Sequence, residues 1–214
     1  SVPIVSRKYD PNCKVSLVGG IIRHMKKSGD RKAIAALTAL VGYADCVDKD
    51  GIIEMIDYGY NFTSEYDDAN VATTLLLSMI TRKIDNVDAA VPNDSRAAFA
   101  IRAGLLEICM DMIARFGGDK NTHGTMFSVS SILKNIYILS FHKKTSKAIG
   151  VKRGRILEEF ERLKENKQVT SNESNQCKLA MFIIQSIIDI TSTSCFVCNK
   201  ETERRDMKKC ATCR

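Results

Sequence analysis

Phe127-Ser-Val-Ser-Ser-Ile-Leu-Lys-Asn-Ile136 is the stretch that sets the fold class. Its bulky apolar residues Phe127, Val129, Ile132, Leu133 and Ile136 recur at helical spacing, with serines, Lys134 and Asn135 between them. A helix this apolar on most of its circumference needs neighbours on several sides. Three other segments read the same way: Ala33-Ile-Ala-Ala-Leu-Thr-Ala-Leu-Val41, Val71-Ala-Thr-Thr-Leu-Leu-Leu-Ser-Met-Ile80 and Leu179-Ala-Met-Phe-Ile-Ile-Gln-Ser-Ile-Ile188. The chain has three prolines and no sustained strand alternation, so an all-α fold is expected.

Each long segment follows a shorter one that opens on a glycine and two aliphatics. These are Gly20-Ile-Ile22, Gly51-Ile-Ile53, Gly104-Leu-Leu106 and, more weakly, Gly154-Arg-Ile-Leu157. A short glycine-led helix followed by a long apolar one resembles the armadillo repeat, whose last helix ends in the form Ala-Leu-x-Asn-Leu. Leu133-Lys-Asn-Ile136 fits that ending, and Leu37-Thr-Ala-Leu40, Leu77-Ser-Met-Ile80 and Ile184-Gln-Ser-Ile187 stand at the corresponding places. The resemblance implies a right-handed superhelical stack over residues 1–190. Its leading glycines are 31, 53 and 50 residues apart, so insertions are expected at 61–68, 85–95, 117–125 and 166–176. Loops on one face of a stack leave neighbour packing intact. A plain helical bundle shares the periodicity and remains the alternative.

In the armadillo family an asparagine on the inner helix grips the backbone of an extended peptide, since an amide both donates and accepts. Asn135 matches that position, while Ala39, Met79 and Ser186 stand at the others. There is thus no asparagine ladder. An Asn135 bonded within its own helix is the competing reading.

The last twenty residues carry a different signal: Cys195-Phe-Val-Cys198, eleven residues, then Cys210-Ala-Thr-Cys213. Two CxxC pairs at this spacing place four thiolates on two tight turns, the ligand set of a structural zinc. Met207 is the one apolar residue of the intervening segment, so a metal would have to order it. Lys-Lys-Cys-x-x-Cys-Arg after a polar insert resembles the opening half of a MYND-type zinc finger. That resemblance implies a second, interleaved zinc site and a parent chain continuing past Arg214. A self-contained four-cysteine zinc ribbon over 195–214 is the other reading.

Composition is that of a water-soluble globular chain, 44% hydrophobic and 27% charged, with no apolar run of membrane-spanning length. The opening Ser-Val-Pro-Ile-Val-Ser-Arg-Lys has no long apolar run of the secretory kind and no initiator methionine, as expected of an excised piece. Cys13, Cys46, Cys109 and Cys177 are scattered, and with a zinc site they suggest a reducing compartment, cytoplasmic or nuclear.

The net charge of +7 is concentrated. Nine Lys/Arg face four Glu between Lys143 and Lys167, and six face three acids in 195–214. Lys143, Lys144, Lys147, Lys152, Arg153 and Arg155 are therefore the candidate basic patch, for phosphate or for an acidic partner. A solvated helix face is the alternative.

Catalytic arrangements are not apparent. His24, His123 and His142 lie in separate segments outside any nucleophile or metal motif. Gly117-Gly-Asp119 lacks the GK[ST] of a phosphate loop and reads as a helix C-cap. Asp45, Asp48 and Asp50 are spaced like a calcium loop, but its twelfth position is Ile56. Those carboxylates, and the acidic run at 64–68, read as helix N-caps. The expectation is a non-enzymatic adaptor that recruits peptide or protein partners through a helical-repeat surface and a zinc finger. The alternative is a nucleic-acid-associated zinc-ribbon protein using the basic 143–167 stretch.

Overall fold

Helices account for nearly all the regular structure of the chain in the computed structural model, which describes residues 17–29, 33, 37, 49–61, 66–84, 87–92, 94–118, 122–170 and 174–193. The chain divides into two compact units, Ser1–Pro92 and Asn93–Arg214. The boundary lies within the 1–190 span read as a helical-repeat domain. The all-α class holds, with one two-stranded hairpin as the only β structure among the described residues.

The first unit contains α1 (Leu17–Ser28), α2 (Lys49–Asn61), α3 (Tyr66–Ile80), β1 (Thr81–Ile84) and β2 (Val87–Pro92). Helix α1 buries Val18, Ile22 and Met25, one turn apart, against α2, which buries Ile52, Met55 and Ile56. Outside this apolar seam the helices are clasped by charge. Arg23 donates to Asp50 (2.9 Å) and Glu54 (3.1 Å); Lys26 donates to Glu54 (2.8 Å) and Asp57 (2.5 Å). Asp50, Glu54 and Asp57 repeat at one-turn spacing, as do Arg23 and Lys26, so the charges interdigitate.

The hydrogen bond from Lys26 lowers the Asp57 carboxyl below its usual range, against an opposing effect of burial. Burial lowers Lys26 as well, but its bonds to Asp57 and Glu54 outweigh that and leave the ammonium raised. Asp57 therefore contributes stability above the usual carboxylate range and loses it as pH falls through its depressed value. Lys26 contributes below the usual lysine range and loses its share as pH rises through its raised value. The clasp is present across the neutral range, and added salt weakens it because its members are partly exposed.

Of segment 33–41 the described residues are Ala33 and Leu37, both helical, with Leu37 fully buried. Helix α3 matches the apolar run at 71–80: Ala72, Leu75, Leu76, Met79 and Ile80 are buried. Its buried Thr73 hydroxyl is satisfied by the Ala69 carbonyl at 2.9 Å. The chain then pairs Thr81 with Pro92, Arg82 with Val91 and Lys83 with Ala90, antiparallel, with an irregularity at Lys83/Ile84. This hairpin occupies most of the stretch expected to be an insertion at 85–95.

The second unit holds α4 (Asp94–Ala103), α5 (Leu105–Phe116), α6 (His123–Leu139), α7 (Lys143–Glu165), α8 (Lys167–Thr170) and α9 (Asn175–Thr193). Gly104 separates α4 from α5 at φ 117°, a left-handed conformation that side chains resist. Helix α4 presents small residues, Ala97, Ala98 and Ala100, with Ile101, to the interior, and packs most extensively on α7. Helix α5 is buried from Leu105 through Met110 and touches both α6 and α7. Helix α9 lies along α6, burying Ala180, Ile184 and Ile187. Gly154, read as the lead of a fourth short helix, instead sits inside an unbroken α7. It faces solvent, while Ile149, Ile156 and Phe160 keep the buried period on either side. An exposed interior glycine costs about 1 kcal/mol relative to alanine, which that apolar face outweighs.

Two side-chain devices fix the unit's corners. Asp94, in the first turn of α4, accepts from the Thr145 backbone N–H (3.0 Å) and the Thr145 hydroxyl (2.5 Å), so it caps α7 from another helix. Asp94→Ala is expected to destabilise the chain by about 1–2 kcal/mol, measured by denaturant unfolding, while Asp94→Asn loses less. Gly117 does end α5, but with right-handed φ −64° and its N–H on the Ile113 carbonyl at 2.8 Å. Its reason for being glycine is space: a Cβ would come 2.4 Å from the Ile113 oxygen and 3.2 Å from Cys177 Sγ on α9. Gly117→Ala is expected to cost about 1–3 kcal/mol through overpacking, read from the same unfolding curves.

Candidate interaction surface

Helix α6 packs mainly against α9 and α5, with lighter contacts to α4 and α7. At 100° per residue, Phe127, Ser131, Lys134 and Ile138 fall on one narrow line, and that line is what α6 shows to solvent. Phe127 is 61% exposed. Helix α9 has a comparable line, Lys178, Phe182, Gln185 and Asp189, with Leu179 beside it; Phe182 is 69% exposed. The Ser130 hydroxyl donates to the Gln176 carbonyl at 3.2 Å and ties the two helices together. Phe127 and Phe182 thus each stand in water, on neighbouring helices.

Asn135 lies beside this line, half-buried, next to the fully buried Leu133 and Ile136. Its Nδ2 donates to the Ser131 carbonyl at 2.8 Å, one turn back in the same helix. At the end of α6, Tyr137 and Phe141 meet edge to face, centroids 5.7 Å apart and rings at 84°. That contact holds the exposed Phe141 ring in place.

The six residues of the candidate basic patch all fall on α7, but they do not form one surface. Lys143, Lys144 and Lys147 are exposed near its start, where Lys144 donates to Ser95 at 2.8 Å. One to two turns further on, Lys152 turns inward and donates to Glu107 of α5 at 3.0 Å, with Arg155 Nε at 3.7 Å from the same oxygen. The Glu107 side chain is only 3% exposed, and its second oxygen, Oε2, is buried with no hydrogen-bond partner. Arg153 lies half-buried with its Nε unpartnered too. The stretch that reads as uniformly basic is thus an outward lysine cluster followed by cations drawn to a buried carboxylate. Glu107 escaped notice in the sequence, although one charge within Leu105-Leu-Glu-Ile-Cys-Met110 was the available signal.

The two described thiols are inert. Burial, reinforced by the charge of Glu107, pushes Cys109 far above the usual thiol range, and burial also raises Cys177. His24 is exposed on α1, and His142 is the exposed residue preceding α7. Cys195, Cys198, Cys210 and Cys213 lie outside the described residues. Among the described residues no cluster of His, Cys, Asp and Glu has the arrangement of a metal site, and no helix is long and apolar enough to cross a membrane. No family model, no curated protein and no solved structure matches the chain.

Proposed function

We propose that the chain is a non-catalytic interaction adaptor: an armadillo-like helical stack whose exposed lines on α6 and α9 receive peptide or protein partners, followed by a MYND-type or four-cysteine zinc finger. The carrying observation is the pair of water-exposed phenylalanines, Phe127 and Phe182, on neighbouring helices whose other faces are buried. Repeat stacks use extended surfaces of this kind for binding. The nucleic-acid reading is weakened by the inward turn of Lys152 onto Glu107, by the approach of the exposed Arg155 to the same carboxylate, and by the pairing of Arg162 with Glu158 and of Lys164 with Glu161.

Salt separates the two readings. A displayed random-peptide library should yield ligands for the purified chain whose affinity depends mildly on salt. Duplex DNA and single-stranded RNA should bind weaker than about micromolar at physiological salt. Tight nucleic-acid binding with a steep slope against log salt, and an empty peptide selection, would overturn the adaptor.

The finger is tested by its metal. Cys195, Cys198, Cys210 and Cys213 are expected to hold about one structural zinc through four sulfurs at about 2.3 Å, measured by elemental analysis and zinc-edge absorption. Metal-free protein with an ordered 195–214 segment would sink the assignment.

A further inference from the structure

No Asp or Glu occurs between Asp119 and Glu158, and the middle of that stretch forms the corner where α6 ends and α7 begins. The corner exposes Lys134, Ile138 and Phe141, then Lys143 and Lys147 on the opening turns of α7. None of these three lysines has a carboxylate three or four residues away, and none makes an ion pair among the described residues. The far half of α7 is built differently: Arg162 meets Glu158 at 2.6 Å and Glu159 at 3.3 Å, and Lys164 meets Glu161 at 2.6 Å. Helix α7 also opens with no acid in its first turn, although the positive end of a helix favours one. Capping is done from outside by Asp94, so the lysines crowd that end without serving the helix.

Interleaved with this unmatched charge are two apolar side chains, Ile138 at 46% and Phe141 at 59% exposure, the latter steadied by Tyr137. We propose that this corner docks an acidic protein segment carrying bulky apolar anchors, its carboxylates meeting Lys134, Lys143 and Lys147 and its anchors covering Ile138 and Phe141. The proposal rests on the adaptor reading and names the chemistry of the partner. Phosphate alone would leave the apolar pair uncovered. An anionic bilayer would find too small an apolar footing, since Ile138 and Phe141 are the only two apolar side chains the corner exposes among the described residues.

The test titrates the full chain with short fluorescent peptides of three kinds: acidic with Leu and Phe, basic with Leu and Phe, and acidic with Ser in place of the apolar residues. Duplex DNA and phosphatidylserine vesicles are run beside them. The acidic–apolar peptide should bind best, and its affinity should fall as salt rises. Lys143→Glu combined with Lys147→Glu should weaken it at least about tenfold, and Phe141→Ser by about tenfold, with helical signal and melting unchanged. Ile53→Ser, at an exposed position on α2, should leave it unaltered.

Preference for the basic peptide, or acidic-peptide binding indifferent to the corner variants but lost in Phe182→Ser, would overturn the corner and leave the adaptor standing. DNA or vesicles binding more tightly than any peptide, and released by the double lysine variant, would overturn it in favour of phosphate or lipid. Loss of all peptide binding, from these probes and from the random library, would remove the adaptor itself.

Discussion

Leu133→Ala is expected to lower the unfolding free energy by about 2–5 kcal/mol, the range for emptying a leucine-sized space in a packed core. Leu133 is fully buried in α6, between Ile132 and Ile136, which are likewise closed to water. Helix α6 is packed between α9 and α5 and touches α4 and α7 as well, so little backbone freedom exists for the site to collapse around the missing atoms. The cost should therefore fall in the upper part of the range. Chemical denaturation of the variant and its parent measures it, and the slope with denaturant should be unchanged. Phe127→Ala, six residues earlier on the outward line of the same helix, should change stability by no more than about 0.5 kcal/mol, because its ring already stands in solvent. Equal losses at the two positions would mean that α6 is not packed as described.

That contrast also shows which parts of the fold the sequence carries. Periodicity is a local property, and where burial follows it the reading is direct: 71–80, 127–136 and 179–188 all fall within helices that bury most of their apolar residues, with Phe127, Leu179 and Phe182 the exposed exceptions. Gly104 was legible as a break because its conformation at φ 117° is one that glycine alone adopts readily. Gly154 resembled it in sequence but has no such conformational demand, and α7 runs through it. The hairpin was hidden for another reason. Thr81-Arg-Lys-Ile84 and Val87-Asp-Ala-Ala-Val-Pro92 are short and do not alternate, and what makes them strands is each other. The all-α class was thus readable while its one described exception was not. The superhelical arrangement depends on packing between helices, which a single sequence leaves open between a repeat stack and a bundle.

The candidate surface divides along the same line. Counting charges between Lys143 and Lys167 finds a basic stretch, but a count cannot see that Lys152 and Arg155 share a carboxylate contributed from 45 and 48 residues earlier in the chain. Nor can it see that Asp94 caps α7. The exposed phenylalanines were counted among core candidates, because Phe127 and Phe182 sit inside apolar runs where hydrophobicity alone predicts burial. Identity at those positions was informative; orientation was supplied by the neighbours.

The buried carboxylate yields the second large effect. Lys152→Met should destabilise the chain by about 3 kcal/mol, because it leaves Glu107 in the interior without its nearest cation. The loss should sit at the low end of what breaking a buried pair costs, since Arg155 at 3.7 Å still offsets part of the charge. Adding Glu107→Leu to Lys152→Met should recover most of the lost stability: the double variant removes both the stranded charge and Oε2, which has no partner to lose. Glu107→Leu alone should cost less than Lys152→Met, because the cations it releases lie nearer to water than Glu107 does. Three unfolding curves and the parent complete the cycle, and the coupling between the two sites should be of the order of 2 kcal/mol. Strict additivity would instead mean that Lys152 contributes by packing its stem and not by its charge. Glu107 would then need another source of compensation, and the half-buried Arg153, whose Nε has no partner, is the nearest candidate in sequence to supply it.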